Sequence, residues 1–259
     1  MADSPRLEAE VLMAEVLAST RTALLAHPER KLTGLELAQL ERMVHERAEG
    51  YPLPYLIGRS EFYSLEFEVT PEVLIPRPET ELLVDLAIER QPHAVVDVGT
   101  GSGCIAVAIG HNVDQAQVIG VDVSGAALAV ARRNAERHGL SDRVLLVHGD
   151  VLSPRPGPAD LVVSNPPYVA AGERSALPTS VREYEPWVAL DGGVDGLEVV
   201  ARLLCQAPAV VAPGGALLVE IGSGQGESAS ALAKASFPKA TVKVHPDLAG
   251  HDRVLEVQT

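Results

Sequence analysis

Residues 94–103 read Ala94-Val95-Val96-Asp97-Val98-Gly99-Thr100-Gly101-Ser102-Gly103. The valine-rich start predicts a short buried strand. The alternating glycines after it predict a sharp turn that lets the backbone approach a ligand closely. A dinucleotide-binding loop would need a glycine at its sixth place, which is Cys104. The pattern is instead G-x-G-x-G, with Asp97 two places before the first glycine. That version suits a ligand with no pyrophosphate to seat on a helix N-terminus, and S-adenosylmethionine is such a ligand. Taken alone, the loop also fits a turn with no function.

Working outward, strand and helix patterns alternate. Apolar runs suited to buried parallel strands occupy 94–98, 118–123, 144–147, 161–163, 216–221 and 254–257. Helical periodicity falls near 105–110, 126–138 and 197–211, with Ser124 placed to cap the second helix and Gly139 to end it. This alternation predicts an α/β fold, a parallel sheet covered by helices on both faces.

Two acids end strands beside the glycine loop. Asp122 closes Ile119-Gly120-Val121-Asp122, where a carboxylate can accept both ribose hydroxyls of a nucleoside. Asp150 follows the next strand, placed to accept from an adenine amino group. As a lone acid at a strand end, Asp122 would more often be a helix cap.

The strand ending at Ser164 runs into Asn165-Pro166-Pro167-Tyr168. Paired prolines freeze the backbone, so the Asn165 side chain and the Pro166 carbonyl form a fixed pair of acceptors. A planar nitrogen with two hydrogens would donate one to each, while Tyr168 stacks on it and excludes water. The chemistry this implies is methyl transfer to an amide-type or amino-type nitrogen, with positioning as the main contribution.

The N-terminal fifty residues read as helices: Leu7, Val11, Leu12, Val16 and Leu17 recur at helical spacing, as do Leu37, Leu40, Met43 and Val44. Thr33 and Glu36 make a capping box before the second pattern. Alternation in Phe62, Tyr63, Leu65, Phe67 and Val69 predicts a β-hairpin. The prolines at 76 and 78 should forbid helix until Thr80. The expected organisation is a helical substrate-recognition module at 1–57, a hairpin linker at 58–75 and a catalytic domain at 76–259.

The chain has 259 residues, enough for such a domain and a small companion, and its formal net charge is -14. That field repels nucleic acid and favours a protein or small-molecule substrate. Aromatics are only 3%, so the core must be aliphatic. Cys104 and Cys205 lack metal-ligand spacing and read as small buried hydrophobes. No signal-peptide pattern or membrane-length apolar run occurs, so the expectation is a cytoplasmic protein with no membrane contact. No long apolar stripe is left unpartnered, which suggests a monomer.

These residues together resemble the HemK/PrmC family of protein-(glutamine-N5) methyltransferases, which modify peptide chain release factors. The resemblance spans nearly the whole chain: EFYSLEFEVTPEVLIPRPETELLV, DVGTGSG, VSNPPY, VREYEPWVALDGGVDGL, APGGALLVEIG and DLAGHDRVLEV. It implies a Rossmann-like class I methyltransferase with a mostly parallel seven-stranded sheet, a small N-terminal helical domain and a linking hairpin. It implies S-adenosylmethionine as donor, S-adenosylhomocysteine as product, and the glutamine of a release factor's GGQ loop as acceptor, a modification that bears on translation termination. Residues Gly99 to Gly103, Asp122 and Asn165 would bind cofactor. Asn165, Pro166, Pro167 and Tyr168 would hold the glutamine amide, with Arg77 and Glu79 lining the same pocket. Val151 stands where some relatives place an aromatic beside the adenine.

NPPY is shared with adenine-specific DNA methyltransferases, so an adenine-N6 methyltransferase on DNA or RNA is the alternative. It would act on a flipped base and need a basic cleft. The stretch from 169 to 193 lacks periodicity and holds the only tryptophan, Trp187. It reads as a loop poised to act as a lid over the substrate.

Overall fold

The computed structural model describes residues 4–153 and 156–259. The first three residues of the expected helical module lie outside the described residues.

Helix α1 (Pro5–Val16) starts with a proline in its first turn, where a missing N–H costs nothing. After α2 (Arg21–Ala26) comes α3 (Gly34–Ala48), opened by the expected capping box. The Glu36 N–H bonds Thr33 Oγ1 at 3.3 Å, and the Thr33 N–H bonds a Glu36 carboxylate oxygen at 2.7 Å. Leu12, Leu17 and Met43 are buried where α1 packs on α3, and Arg47 forks onto the Glu8 carboxylate. Leu7, Leu37 and Val44 of the expected apolar faces stay exposed. So small a module has too little mass to cover them.

A short helix α4 (Leu53–Ile57), not expected from the sequence, ends at Gly58 and leads into the hairpin. Strands β1 (Arg59–Phe62) and β2 (Leu65–Glu68) pair antiparallel. The two turn residues, Tyr63 and Ser64, have φ of 52° and 59°, the mirror-image geometry that suits strand twist. Phe62 and Phe67 are buried together with residues of the following domain. Asn134 fastens the hairpin further, accepting the Glu68 N–H at 2.7 Å and donating to the Glu68 carbonyl at 3.0 Å.

The α-helix waits until Glu81, as the prolines at 76 and 78 require. Pro78 opens a 3₁₀ turn, Pro78–Thr80, because its fixed φ fits a first helical position. Helix α5 (Glu81–Glu89) follows directly. Then come β3 (Ala94–Val98), α6 (Cys104–Asn112), β4 (Gln117–Asp122), α7 (Gly125–Arg137), β5 (Val144–His148) and β6 (Ala159–Ser164). Helix α8 (Thr179–Tyr184) lies within the stretch expected to be a loop. The chain continues through α9 (Glu198–Gln206), β7 (Val211–Glu220), α10 (Gly226–Ser236), β8 (Thr241–Pro246) and β9 (Asp252–Gln258).

Seven strands form one sheet in the order β5-β4-β3-β6-β7-β9-β8. Strands β3 to β7 are parallel, whereas β9 runs antiparallel to both β7 and β8. Residues 254–257 were expected to be parallel. A strand buried on both faces is apolar in either direction, so its sequence carries no sign of which way it runs. Two core clusters cover the two faces of the sheet, one containing Leu83, Ile109 and Leu218, the other Leu203, Leu217 and Leu255. Among the described residues, no helix is long and apolar enough to cross a membrane.

Because β3 is central, the chain steps outward to β4 and β5 before returning to β6 on its other side. The loops after β3, β4 and β6 therefore meet at one end of the sheet, the crevice where open α/β sheets take ligands.

Candidate active site

Gly99, Gly101 and Gly103 all have positive φ, at 73°, 56° and 80°, a region that side chains disfavour. The turn they make is tied down from several sides. The N–H groups of Gly99 and Thr100 both donate to the Val121 carbonyl, at 2.8 and 3.0 Å. The Thr100 hydroxyl donates to Asp97 at 2.7 Å, and Asn134 Nδ2 donates to the Ser102 carbonyl at 2.8 Å. Gly120 of β4 makes room for this packing, since a Cβ there would come within 2.9 Å of Thr100 Oγ1.

Asp122 sits against the loop. One carboxylate oxygen accepts the Gly101 N–H and the other the Ser124 N–H, each at 2.8 Å. Burial pushes its carboxyl above the ordinary range, while these backbone donors hold it down. Ser124 also caps α7, its Oγ accepting from the Ala127 N–H at 3.1 Å.

These elements wall a cavity of about 620 Å³. Gly99, Thr100, Gly101, Ser102, Asp122, Asp150, Val151, Asn165, Pro166 and Pro167 line it, as do Trp187 and Val188 from across the mouth. A smaller cavity of about 210 Å³ adjoins it, lined by Arg77, Asn165, Tyr168, Leu177 and Val181 among others. Asn165 belongs to both, at the point where they meet.

Several expected residues sit elsewhere. Asp97 is fully buried beneath the loop, and burial pushes its carboxyl up to about 7. It organises the turn through Thr100 and does not line the cavity. Gly103 also stands back, where a Cβ would meet Ala131 at 3.1 Å, so its role is close packing of loop on helix. Glu79 is exposed and lines neither cavity. The turn begun at Pro78 points Glu79 outward and buries Thr80. Asp150 reaches the cavity, but its carboxylate pairs with Arg202, another lining residue. Val151 is buried with φ of 55°, a strained conformation for a β-branched residue.

Behind NPPY lies a polar network that the sequence reading missed. Ser164 Oγ donates to the Val98 carbonyl at 2.7 Å and locks the ends of β6 and β3 together. Asn165 Nδ2 donates to Thr80 Oγ1 at 3.1 Å. The Tyr168 hydroxyl lies 3.5 Å from a carboxylate oxygen of Glu220, and the Tyr168 carbonyl accepts from Gln225 Nε2 at 3.1 Å. Glu220 had a readable signal, an acid inside the apolar run Ala216-Leu217-Leu218-Val219-Glu220-Ile221.

The stretch from 169 to 193 is more ordered than its sequence suggested. It holds two 3₁₀ turns and α8, and it is anchored at the C-terminal end of that helix. Leu177 and Val181 wall the smaller cavity, and Arg174 stacks 4.4 Å from the centre of the Trp187 ring. Glu185 is buried against Arg77, and Tyr184 packs edge-on to Tyr51 of the N-terminal module.

A cavity of this size lies in the usual range of roughly 300–1,000 Å³ for small-molecule sites. Its polar groups also fit S-adenosylmethionine. Asp122 offers acceptors for a ribose, and the buried Ser102 hydroxyl has no hydrogen-bond partner among the described residues. Comparison with solved structures agrees at the level of fold. A methyltransferase from Pyrococcus furiosus aligns with TM-score 0.58 and 18% identity, covering 85% of this chain and 98% of its own. A ribosomal protein L11 methylase from Lactobacillus delbrueckii subsp. bulgaricus aligns with TM-score 0.53 and 21% identity, covering 71% and 80%. The fold is that of the class I S-adenosylmethionine-dependent methyltransferases.

Sequence comparison narrows the class. Residues 1–58 match the PrmC N-terminal domain, and residues 78–180 match the methyltransferase small domain. A release factor glutamine methyltransferase from Moorella thermoacetica is 45% identical over 97% of this chain and 90% of its own length. One from Geobacter sulfurreducens is 47% identical over 87% and 80%. The chain belongs to the family of release factor glutamine methyltransferases.

Proposed function

We propose that this chain transfers the methyl group of S-adenosylmethionine to the side-chain amide nitrogen of a glutamine in peptide chain release factors. The position of Asn165 at the junction of the two cavities carries this reading. The larger cavity takes the cofactor and the smaller one the glutamine side chain. The names of the curated relatives support the same substrate and do not favour the adenine alternative.

When bound, the cofactor supplies a methyl group on a sulfonium, an electrophile that needs no metal or base to activate it. The work left to the protein is to orient a poor nucleophile. Asn165 Oδ1 and the Pro166 carbonyl accept the two amide hydrogens, which draws the nitrogen lone pair out of conjugation and stabilises the positive charge that grows there. The nitrogen keeps both protons until the new C–N bond has formed, and one then leaves. Tyr168 and Arg77 border the amide pocket, and the aliphatic walls Leu177 and Val181 keep water out.

The N-terminal helical module, residues 1–57, grips the rest of the partner. The stretch from 169 to 193 covers the site as the glutamine enters. The reaction takes place in the cytoplasm, where release factors work.

Tritium transfer from labelled S-adenosylmethionine tests the proposal, with purified release factors, DNA and RNA offered separately. Label should appear on a release factor and vanish when its loop glutamine is replaced. Asn165→Ala should lower turnover by about 100-fold or more with little change in cofactor affinity. Label on nucleic acid alone would sink the glutamine reading.

A further inference from the structure

Tryptophan offers a large flat contact surface and has only two side-chain torsions to freeze, so ordering it against a ligand costs little. The one tryptophan of this chain, Trp187, lies in the stretch from 169 to 193. It opens a 3₁₀ turn, Trp187–Ala189, and lines the larger cavity together with Val188. Trp187 is half-buried and Val188 is 56% exposed, so both have apolar surface to give to an occupant of that cavity.

The same stretch walls the smaller cavity. Leu177 and Val181 line that side, and Ala189 lines both cavities. The two walls are clipped together through the tryptophan ring. Its indole N–H donates to Asp191 at 3.0 Å, and the Arg174 guanidinium stacks on it, 4.4 Å from the ring centre. Arg174 belongs to the 3₁₀ turn Ala171–Ala176, which runs directly into Leu177. At its base the stretch is stitched to the residue after NPPY. The Val169 N–H donates to the Leu190 carbonyl and the Gly192 N–H to the Val169 carbonyl, each at 2.9 Å.

A wall shared by two sites makes their occupants interdependent. A ligand that holds Trp187 still also holds, through Arg174 and Ala189, the surface that the second ligand meets. The second ligand then has less freedom to remove from the protein when it binds. We propose that Trp187 is a cofactor-binding residue, and that the stretch it belongs to makes cofactor and protein substrate bind cooperatively. The effect is reciprocal: whatever the cofactor adds to the hold on the protein, the protein adds to the hold on the cofactor. The inference rests on the larger cavity being the cofactor's and the smaller one the glutamine's, as proposed above.

With no other tryptophan in the chain, indole fluorescence reports on Trp187 alone. Titrating the full-length protein with S-adenosylhomocysteine should change that emission and give the same Kd as calorimetry. By calorimetry, Trp187→Ala should bind S-adenosylhomocysteine about tenfold more weakly, because the contact surface of the ring is lost. Trp187→Phe keeps an aromatic ring and should stay within about threefold of wild type. Trp187→Gln removes the ring but leaves a longer polar side chain, should the alanine variant not fold. An emission unmoved by saturating S-adenosylhomocysteine overturns the contact. So do wild-type and ring-less Kd values within about twofold of each other.

The second readout is the affinity of a purified release factor with and without saturating S-adenosylhomocysteine. Wild type should bind it about fivefold more tightly when S-adenosylhomocysteine is present, and Trp187→Ala should show no such gain. A purely structural Trp187 would lower both affinities together and leave their ratio unchanged. Equal affinities in wild type overturn the coupling, and so does a gain in Trp187→Ala as large as that of wild type. If wild type leaves release factors unlabelled, the functional reading falls instead, and the S-adenosylhomocysteine titrations still decide whether Trp187 meets the cofactor.

Discussion

Arg77 and Glu185 meet at 2.5 Å, with the Arg77 side chain 30% exposed and the Glu185 side chain only 1%. Glu185 also accepts the Ile75 N–H at 3.3 Å. The pair joins the proline-rich linker to the stretch that covers the cavities, across 108 residues of sequence. Arg77→Ala would strand a buried carboxylate and should cost about 3 kcal/mol, the low end for a broken buried pair because Arg77 is part-exposed. Burial raises the Glu185 carboxyl, and Arg77 opposes that rise. Losing Arg77 lifts it further, so the folded state binds the proton more tightly than the unfolded one. The deficit should therefore grow as pH rises through and above the ordinary glutamate range. Urea unfolding at about pH 5 and about pH 8 checks the sign, and a deficit larger at the acid end would contradict it.

Asp122 accepts two backbone N–H groups and faces the larger cavity. Asp122→Ala should weaken S-adenosylmethionine by about 10- to 100-fold, the worth of charge-assisted bonds to a carboxylate, and should loosen the turn at Gly101. Calorimetric titration measures it. A dissociation constant equal to wild type would remove Asp122 from the site.

Asp97 holds its proton up to about 7 because it is buried, against an ordinary value of 3.8. Its contribution to stability is complete below the ordinary value and is lost as pH rises toward about 7. Asp97→Asn cannot ionise and keeps an acceptor for the Thr100 hydroxyl. The melting temperature of this variant should gain on wild type as pH rises through that window, then level off. A difference that stays flat with pH would mean that Asp97 is ionised throughout.

The glycine loop, Asp122 and NPPY were legible because each needs a residue type that little else explains. Alternating glycines demand positive φ, and paired prolines after a strand demand a fixed carbonyl. Glu79 and Thr80 were harder to tell apart. They are neighbours in a short turn, and only the geometry started by Pro78 decides which faces in. The direction of β9 could not be read either, since burial on both faces removes the alternation that would mark an edge or a reversal. Helices α5 and α10 and strand β8 went unread beside stronger patterns. In α5 the signal was present, as Leu83, Val84 and Ala87 form its buried face. In the stretch from 169 to 193, order comes from contacts with distant partners, Tyr51 and Arg77, and no local period records those.

The place of β9 between β7 and β8 also carries a consequence for the timing of folding. Strand β8 is synthesised first yet has no sheet partner until β9 slides in beside it. Val254 of β9 pairs with Glu220, so the end of β7 also lacks its outer neighbour until then. The strands of the cofactor-binding half, β3 to β6, are all made before β8 and β9. The nascent chain can therefore assemble that half before the far edge of the sheet closes. Pulsed hydrogen exchange during refolding should show β8 and β9 gaining protection together, whereas early protection of β8 alone would contradict that dependence.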